Sequence, residues 1–185
     1  MDEKFNTTQQ LDKFSTPRNF RGRSALIVQL WWIVQASLFA CSPQLFYGWR
    51  RFLLRAFGAK VGKGVVIRPS AKITYPWKVE IGEYSWVGDD VTIYSLGDIK
   101  IGAHSVVSQK CYLCAGSHDY NDVTFPLTAD SIHIGDHCWL ATDVYVAPGI
   151  VISDGCVVGA RSSVFKNLPA MSICVGTPAK KIKSR

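Results

Sequence analysis

The stretch "IGEYSWVGDDVTI", residues 81–93, puts an aliphatic residue at every sixth position: Ile81, Val87 and Ile93. A spacing of six matches neither the helical period of about 3.6 nor the alternation of a hairpin meander. Followed upstream, the register takes in Val61, Ile67, Ile73 and Val79; followed downstream, Ile99, Ile101, Val107 and Leu113. After an interruption it resumes at Ile134, Leu140, Val146, Ile152, Val158 and Val164, so that all seventeen positions are Leu, Ile or Val. Four residues beyond many of them stands something small or aliphatic: Val65, Ala71, Ser85, Val91, Ser105, Cys111, Cys138, Val144, Ile150, Cys156 and Ser162. Gly often follows the aliphatic residue directly, as in "IGAHSV" and "IGDHCW". The pattern predicts an all-β fold, a parallel solenoid with three short strands per coil, aliphatic residues inward and small residues at the corners. Coils begin at 61, 81, 101, 134 and 152, and two-residue insertions explain the longer spacing of the first three.

A chain of 185 residues supports one sizeable core rather than two ordinary domains. Residues 1–60 read as a helical segment, 61–169 as the solenoid with a loop at 119–133, and 170–185 as a short basic tail. The start "MDEKFNTTQQ" lacks a basic region followed by an apolar one, so a cytoplasmic protein with reduced thiols is expected. Of the six cysteines, Cys111, Cys138 and Cys156 fall on inward small positions, where a thiol acts as a compact hydrophobe. Cys111 and Cys114 form a C-x-x-C with no second pair, and no metal site is expected there.

Charge is unevenly spread. Between Lys13 and Val79 there are twelve Lys and Arg and no Asp or Glu, whereas the other 118 residues hold nine basic and all fourteen acidic residues. The asymmetry calls for an anionic neighbour or a solvated basic face. Within that third, "SALIVQLWWIVQASLFAC" (24–41) reads as a helix, apolar nearly all round, with Ser24 as N-cap. A second helix at about 44–57 carries Arg50, Arg51 and Arg55 and stops at Gly58. The apolar helix caps the open end of the solenoid, lies in a membrane interface with its arginines on anionic headgroups, or does both; a bilayer span ranks last, at the short limit of length. Contact through residues 18–57 would make the protein pellet partly with membranes and come off in high salt or detergent. Nucleic-acid binding does not fit, because the basic third is interleaved with a buried-looking helix rather than exposed stacking aromatics.

The repeat stops at "YLCAGSHDYND", residues 112–122. Ser117 falls on the small position, and His118 closes its coil where "DYNDVTFPLTADSIH" (119–133) leaves the register. A non-repeating loop of this length usually serves a function.

The register, this loop with its histidine and the ending "VGTPAKKIKSR" together resemble the left-handed β-helix hexapeptide acyltransferases. "VQLWW", "ASLFACSPQ", "RPSAKITYPWK" and "CWLATDVYVAPG" are similar to the colanic acid biosynthesis acetyltransferases in particular. The resemblance spans residues 14–183. It implies a homotrimer with active sites in the clefts between neighbouring solenoids, acetyl-CoA as donor, a sugar hydroxyl of an exopolysaccharide repeat unit as acceptor (free or lipid-linked, the latter placing the enzyme at the inner face of the cytoplasmic membrane), and direct transfer with no metal.

The family's catalytic histidine aligns with His118, and imidazole suits the task of taking a hydroxyl proton near neutral pH. Asp119 either orients that ring or turns the chain. Trp139 matches a tryptophan that borders the cleft near the thioester. Asp89 and Asp90 are acceptor-binding candidates and equally an ordinary turn pair; related enzymes tend to carry an asparagine near this place, and this chain does not. By resemblance the pantetheine passes Ala141, Thr142 and Ala160, and Lys166, Lys180 and Lys183 meet the phosphates of the donor; the alternative is a basic tail with no specific partner. His104 and His137 occupy outward turn positions. Two rival functions use the same solenoid. One is a zinc hydratase of the γ-carbonic-anhydrase kind, for which the spacing of His118, His133 and His137 is wrong; the other is a non-catalytic scaffold.

Overall fold

The computed structural model describes residues 8–17 and 19–185; Arg18 and the first seven residues of the expected helical segment lie outside the described residues. All seventeen aliphatic positions are buried, and so are all eleven small or aliphatic positions four residues further on. The register therefore folds as the spacing predicts. Three parallel faces form a triangular prism. Face 1 stacks Lys60–Val61, Val79–Ile81, Ile99–Ile101, Ile132–Ile134 and Val151–Ile152. Face 2 stacks Val66–Ile67, Trp86–Val87, Val106–Val107, Trp139–Leu140, Val157–Val158 and Ser172–Val175. Face 3 stacks Lys72–Ile73, Thr92–Tyr94, Tyr112–Cys114, Tyr145–Val146 and Ser163–Val164.

Stacking is close enough to explain the recurrent glycine. A Cβ on Gly62 would sit 2.6 Å from the Glu83 amide nitrogen, and one on Gly88 would sit 2.7 Å from that of Gln109, so a side chain there would force the coils apart. Tyr84, His104 and His137 take positive φ at the corner between faces 1 and 2 and stack in a column at 5.3 and 5.2 Å, which confirms the two histidines as outward turn residues.

Between coils, amides of one coil donate to carbonyls of the next: Gly62 to Ile81, Val66 to Ser85, Arg68 to Val87 and Thr74 to Ile93. The matching carbonyls of the first coil, on Val61, Val65, Ile67 and Ile73, have no preceding coil to serve. The N-terminal segment serves them. Helix α1 (Ala25–Val34) continues into a π-helical turn, Gln35–Phe39, and Trp31 donates its indole N–H to the Ile73 carbonyl at 2.8 Å. Helix α2 (Tyr47–Ala56) supplies the rest: Arg55 donates to Val61, Arg51 to Val65 and Arg50 to Ile67, at 2.9, 2.7 and 2.6 Å. Arg50 is fully buried and also bonds the Ser42 hydroxyl and the Pro43 and Gln44 carbonyls. These arginines donate to backbone of the first coil, as a cap on its open end requires.

The single helix expected at 24–41 is thus an α-helix with a π turn. Gln35, whose side chain accepts from the Ile73 amide at 2.6 Å, marks the switch. Helix α2 ends in a Schellman motif, with Ala59 N–H on the Leu54 carbonyl, Gly58 N–H on that of Arg55 and Gly58 at φ +95°. At the opposite end the basic tail forms a hairpin, Ser172–Val175 against Lys180–Ser184, which finishes face 2.

Six free cysteines are present, and Cys111, Cys138, Cys156 and Cys174 are buried. Burial pushes the thiols of Cys111 and Cys156 up to about 11. A raised thiol pKa favours the protonated folded form, so stability is intact below the ordinary value of 9.0 and is lost as pH climbs toward 11. The melting temperature is expected to fall steeply over that interval, and a Cys111→Ala chain to show a shallower slope. Arg50→Met should lower the unfolding free energy by about 2–4 kcal/mol, because it strands buried acceptors, and the exposed Arg55→Met by about 1 kcal/mol. Chemical denaturation of the two variants gives both values.

Candidate active site

The interrupting segment is an antiparallel hairpin rather than an open loop: Ser117–His118 pairs with Leu127–Thr128. It leaves the prism at the corner between faces 3 and 1, where Ala115, not Ser117, fills the buried small position. Asp122 ties the tip through the amide and hydroxyl of Thr124, at 2.7 and 2.8 Å, and these bonds hold its carboxyl below the usual range.

His118 is half-buried and doubly fixed. Its Nδ1 lies 2.8 Å from the Phe125 carbonyl oxygen. A carbonyl only accepts, so Nδ1 carries the proton and Nε2 presents a lone pair. The ring also stacks on Phe125, with centroids 4.1 Å apart and planes 9° from parallel, while Phe14 leans on it at 6.0 Å. An imidazole fixed in this tautomer can accept a proton from a group placed at Nε2. No motif in the sequence singles out Phe125. Only its position, across a hairpin from His118, would have marked it.

Asp119 does not orient the ring. Its carboxylate accepts from the Asn121 amide at 2.9 Å and turns the chain, while the Phe125 carbonyl takes the role of orienting group.

The other candidates gather on a different edge. Ala141, Thr142 and Ala160 lie at the corner between faces 2 and 3, with Asp89 and Asp90 toward the helical end of that corner. Thr142 donates to the Gln109 carbonyl at 3.1 Å. Asp89 is engaged by Arg68 at 2.9 Å and by the Ser70 hydroxyl at 3.2 Å, and Asp90 takes φ +56° as a turn residue. Trp139 projects from face 2, 49% exposed, with its indole N–H on the Ser108 hydroxyl at 3.0 Å. Lys180 and Lys183 are exposed on the terminal hairpin, and exposed Lys166 follows the last strand of face 3.

On face 2 the outward row runs Val66, Trp86, Val106, Trp139, Val157 and Ile173. Trp86, 55% exposed, borders a groove of about 440 Å³ that also touches Tyr47, Arg68, Ser108 and Gln109. Sequence reasoning missed Trp86 although the signal was present: it precedes an inward aliphatic residue just as Trp139 does. Face 1 is different in kind. Its outward row includes Lys60, Glu80 and Lys100, ion-paired at 3.7 and 3.3 Å.

In a triangular prism the corner between faces 3 and 1 lies opposite face 2. One chain therefore holds His118 and the Trp139 edge on opposite sides. Among the described residues no group of three His, Cys, Asp or Glu is placed to hold a metal ion; His118 is on the hairpin, His133 on face 1 and His137 at the corner between faces 1 and 2. Cys114 faces Tyr145, whose phenol burial and the thiol push up to about 12, so this neighbour stays protonated near neutral pH.

No family model matches the chain. A protein of Escherichia coli K12, assigned by name to colanic acid biosynthesis as the acetyltransferase WcaF, is 64% identical over 177 residues, covering 96% of this chain and 97% of that one. The Vibrio cholerae hexapeptide-repeat acetyltransferase VCA0836, solved with acetyl coenzyme A, superposes with a TM-score of 0.79 at 22% identity over 88% of this chain and 91% of its own. A galactoside acetyltransferase solved with coenzyme A gives the same TM-score of 0.79, at 21% identity over 91% and 83%. At such identities these two structures speak for the fold.

The bond to Phe125 has a spectroscopic signature. Long-range ¹⁵N–¹H correlation spectra near neutral pH should show His118 as the Nδ1–H tautomer with a bare Nε2. A proton on Nε2 of the neutral ring would overturn this assignment.

Proposed function

This chain belongs to the acetyltransferases of the colanic acid biosynthesis type, and on that premise we propose that it moves an acetyl group from acetyl-CoA to a sugar hydroxyl of an exopolysaccharide repeat unit. The observation that carries the reading is the hydrogen bond from His118 Nδ1–H to the Phe125 carbonyl, which leaves Nε2 of the neutral ring free to accept a proton. The acceptor hydroxyl lies against Nε2 and gives up its proton as its oxygen attacks the thioester carbonyl. The tetrahedral oxyanion then collapses, the carbon–sulfur bond breaks, and the imidazolium returns the proton to the departing thiolate. No covalent enzyme intermediate is involved.

Because His118 and Trp139 stand on opposite sides of one prism, the site needs a neighbour. A homotrimer supplies it, with the hairpin of one solenoid reaching the face 2 edge of the next. The surface chemistry favours this arrangement: face 1 carries a solvated charge ladder, whereas face 2 exposes two indoles among aliphatic residues. The pantetheine runs along the edge marked by Ala141, Thr142 and Ala160 beside Trp139, with Lys166, Lys180 and Lys183 near the donor phosphates. The acceptor sugar takes the groove at Trp86, where an indole offers a stacking face and Arg68, Ser108 and Gln109 offer polar partners. Asp89 contributes there by holding Arg68. The acceptor is carried on a lipid, and the enzyme works at the cytoplasmic side of the membrane.

The test is thioester consumption with free and lipid-linked oligosaccharides. His118→Ala is expected to lower kcat by about 10²- to 10⁴-fold with the KM for acetyl-CoA unchanged. An unchanged rate would remove His118 from the chemistry. Light scattering should return three times the 20.5 kDa chain mass, and a monomer that turns over would dismiss the shared site.

A further inference from the structure

The helical cap has two unlike faces. Its inner face is saturated by the first coil. Its outer face, opposite the coil, is apolar and bare: Leu26, Leu30 and Ile33 follow one another along α1 at helical spacing, 79, 50 and 64% exposed. The stripe runs on to Leu38, where it opens into a groove of about 790 Å³ lined by Leu38, Phe46, Trp49 and Phe52. The Trp49 indole bonds the Leu38 carbonyl at 2.9 Å and stacks on Phe52 at 5.7 Å, so the groove is built rather than frayed. Contiguous exposed apolar surface of this extent marks an interaction site.

Charge says what covers it. Directly beneath lie Arg50, Arg51 and Arg55, which bond only uncharged carbonyls and a hydroxyl, and Arg23 is exposed in the turn before α1. No acidic residue occurs from 13 to 79; Glu80 and Glu83 line a groove with Arg55, yet among the described residues none of these four guanidiniums forms an ion pair. An apolar face backed by guanidiniums without ion pairs suits a surface that is oily and negative. Crossing the membrane is not an option for the ten residues of α1, since a span needs about 20, and among the described residues no helix is long and apolar enough. The face lies on the side of the cap away from the first coil, which α1 meets through Trp31.

We propose that the outer face of the cap docks on the interface of an anionic bilayer, with the solenoid standing away from the membrane. In a trimer of parallel solenoids three such faces point the same way and bind together. The proposal is independent of the transfer chemistry, and flotation itself needs no acetyl-CoA.

Flotation of the full chain is measured on vesicles of phosphatidylcholine alone and on vesicles with about a third phosphatidylglycerol. Wild type is expected to float with the anionic vesicles at low salt and to bind the neutral ones at least about tenfold less well. The double substitution Leu30→Glu, Phe46→Glu should abolish flotation while native mass and transfer to a soluble acceptor stay as in wild type. The proposal fails if wild type stays in the soluble fraction with anionic vesicles, if both vesicle types bind equally, or if the double variant still floats. It also fails if the double variant drops in native mass, which would show that a second copy covers the face.

Discussion

A stack of coils in which each donates its amides to the next ends, at its first coil, in a row of acceptors with no donor. Everything at the helical end of this protein answers that constraint. An arginine offers several N–H donors on a long arm, and helix α2 places three of them within one and a half turns, over Val61, Val65 and Ile67. Trp31 meets the carbonyl of Ile73 on the third face. The helices thus act as a substitute for a missing coil, donor for donor, and the far end is finished in a different way, by an antiparallel hairpin. The cap's apolar interior, with Trp31, Phe39 and Leu54 buried, continues the aliphatic core of the coils.

The same rigidity reaches the histidine. His118 sits on the first residues to leave a stack whose neighbouring strands are registered on both sides, and a short hairpin returns Phe125 over it. Backbone carbonyl and phenyl ring together fix tautomer and plane. The geometry of the imidazole is thus borrowed from the scaffold and needs little beyond one loop.

Much of this was legible in the sequence, and for a clear reason. The hexad is a local rule repeated many times, so Ile67 or Val146 announces its own burial regardless of distant contacts. The cysteines at 111, 138 and 156 were assigned correctly on the same ground. Reading failed where a residue's role depends on a partner far along the chain. Arg50, Arg51 and Arg55 look like surface charge because sequence shows their sign and not the bare carbonyls they meet. Asp119 adjoins His118 in the chain, yet its carboxylate turns to Asn121 while a residue seven positions from the histidine orients the ring. Trp86 shares its position in the hexad with Trp139, and the hexad marks both as outward without showing what either one borders.

All variation in coil length falls at one corner. The short insertions after Ile73 and Ile93 and the long hairpin after Leu113 lie between faces 3 and 1, while the other two corners keep the unbroken six-residue step throughout. That corner is where chain can be added or exchanged without shifting a single rung of the ladder or a single core position. A protein built on this plan can therefore acquire a new loop beside the histidine as an interchangeable part, leaving coils, core and cap as they were.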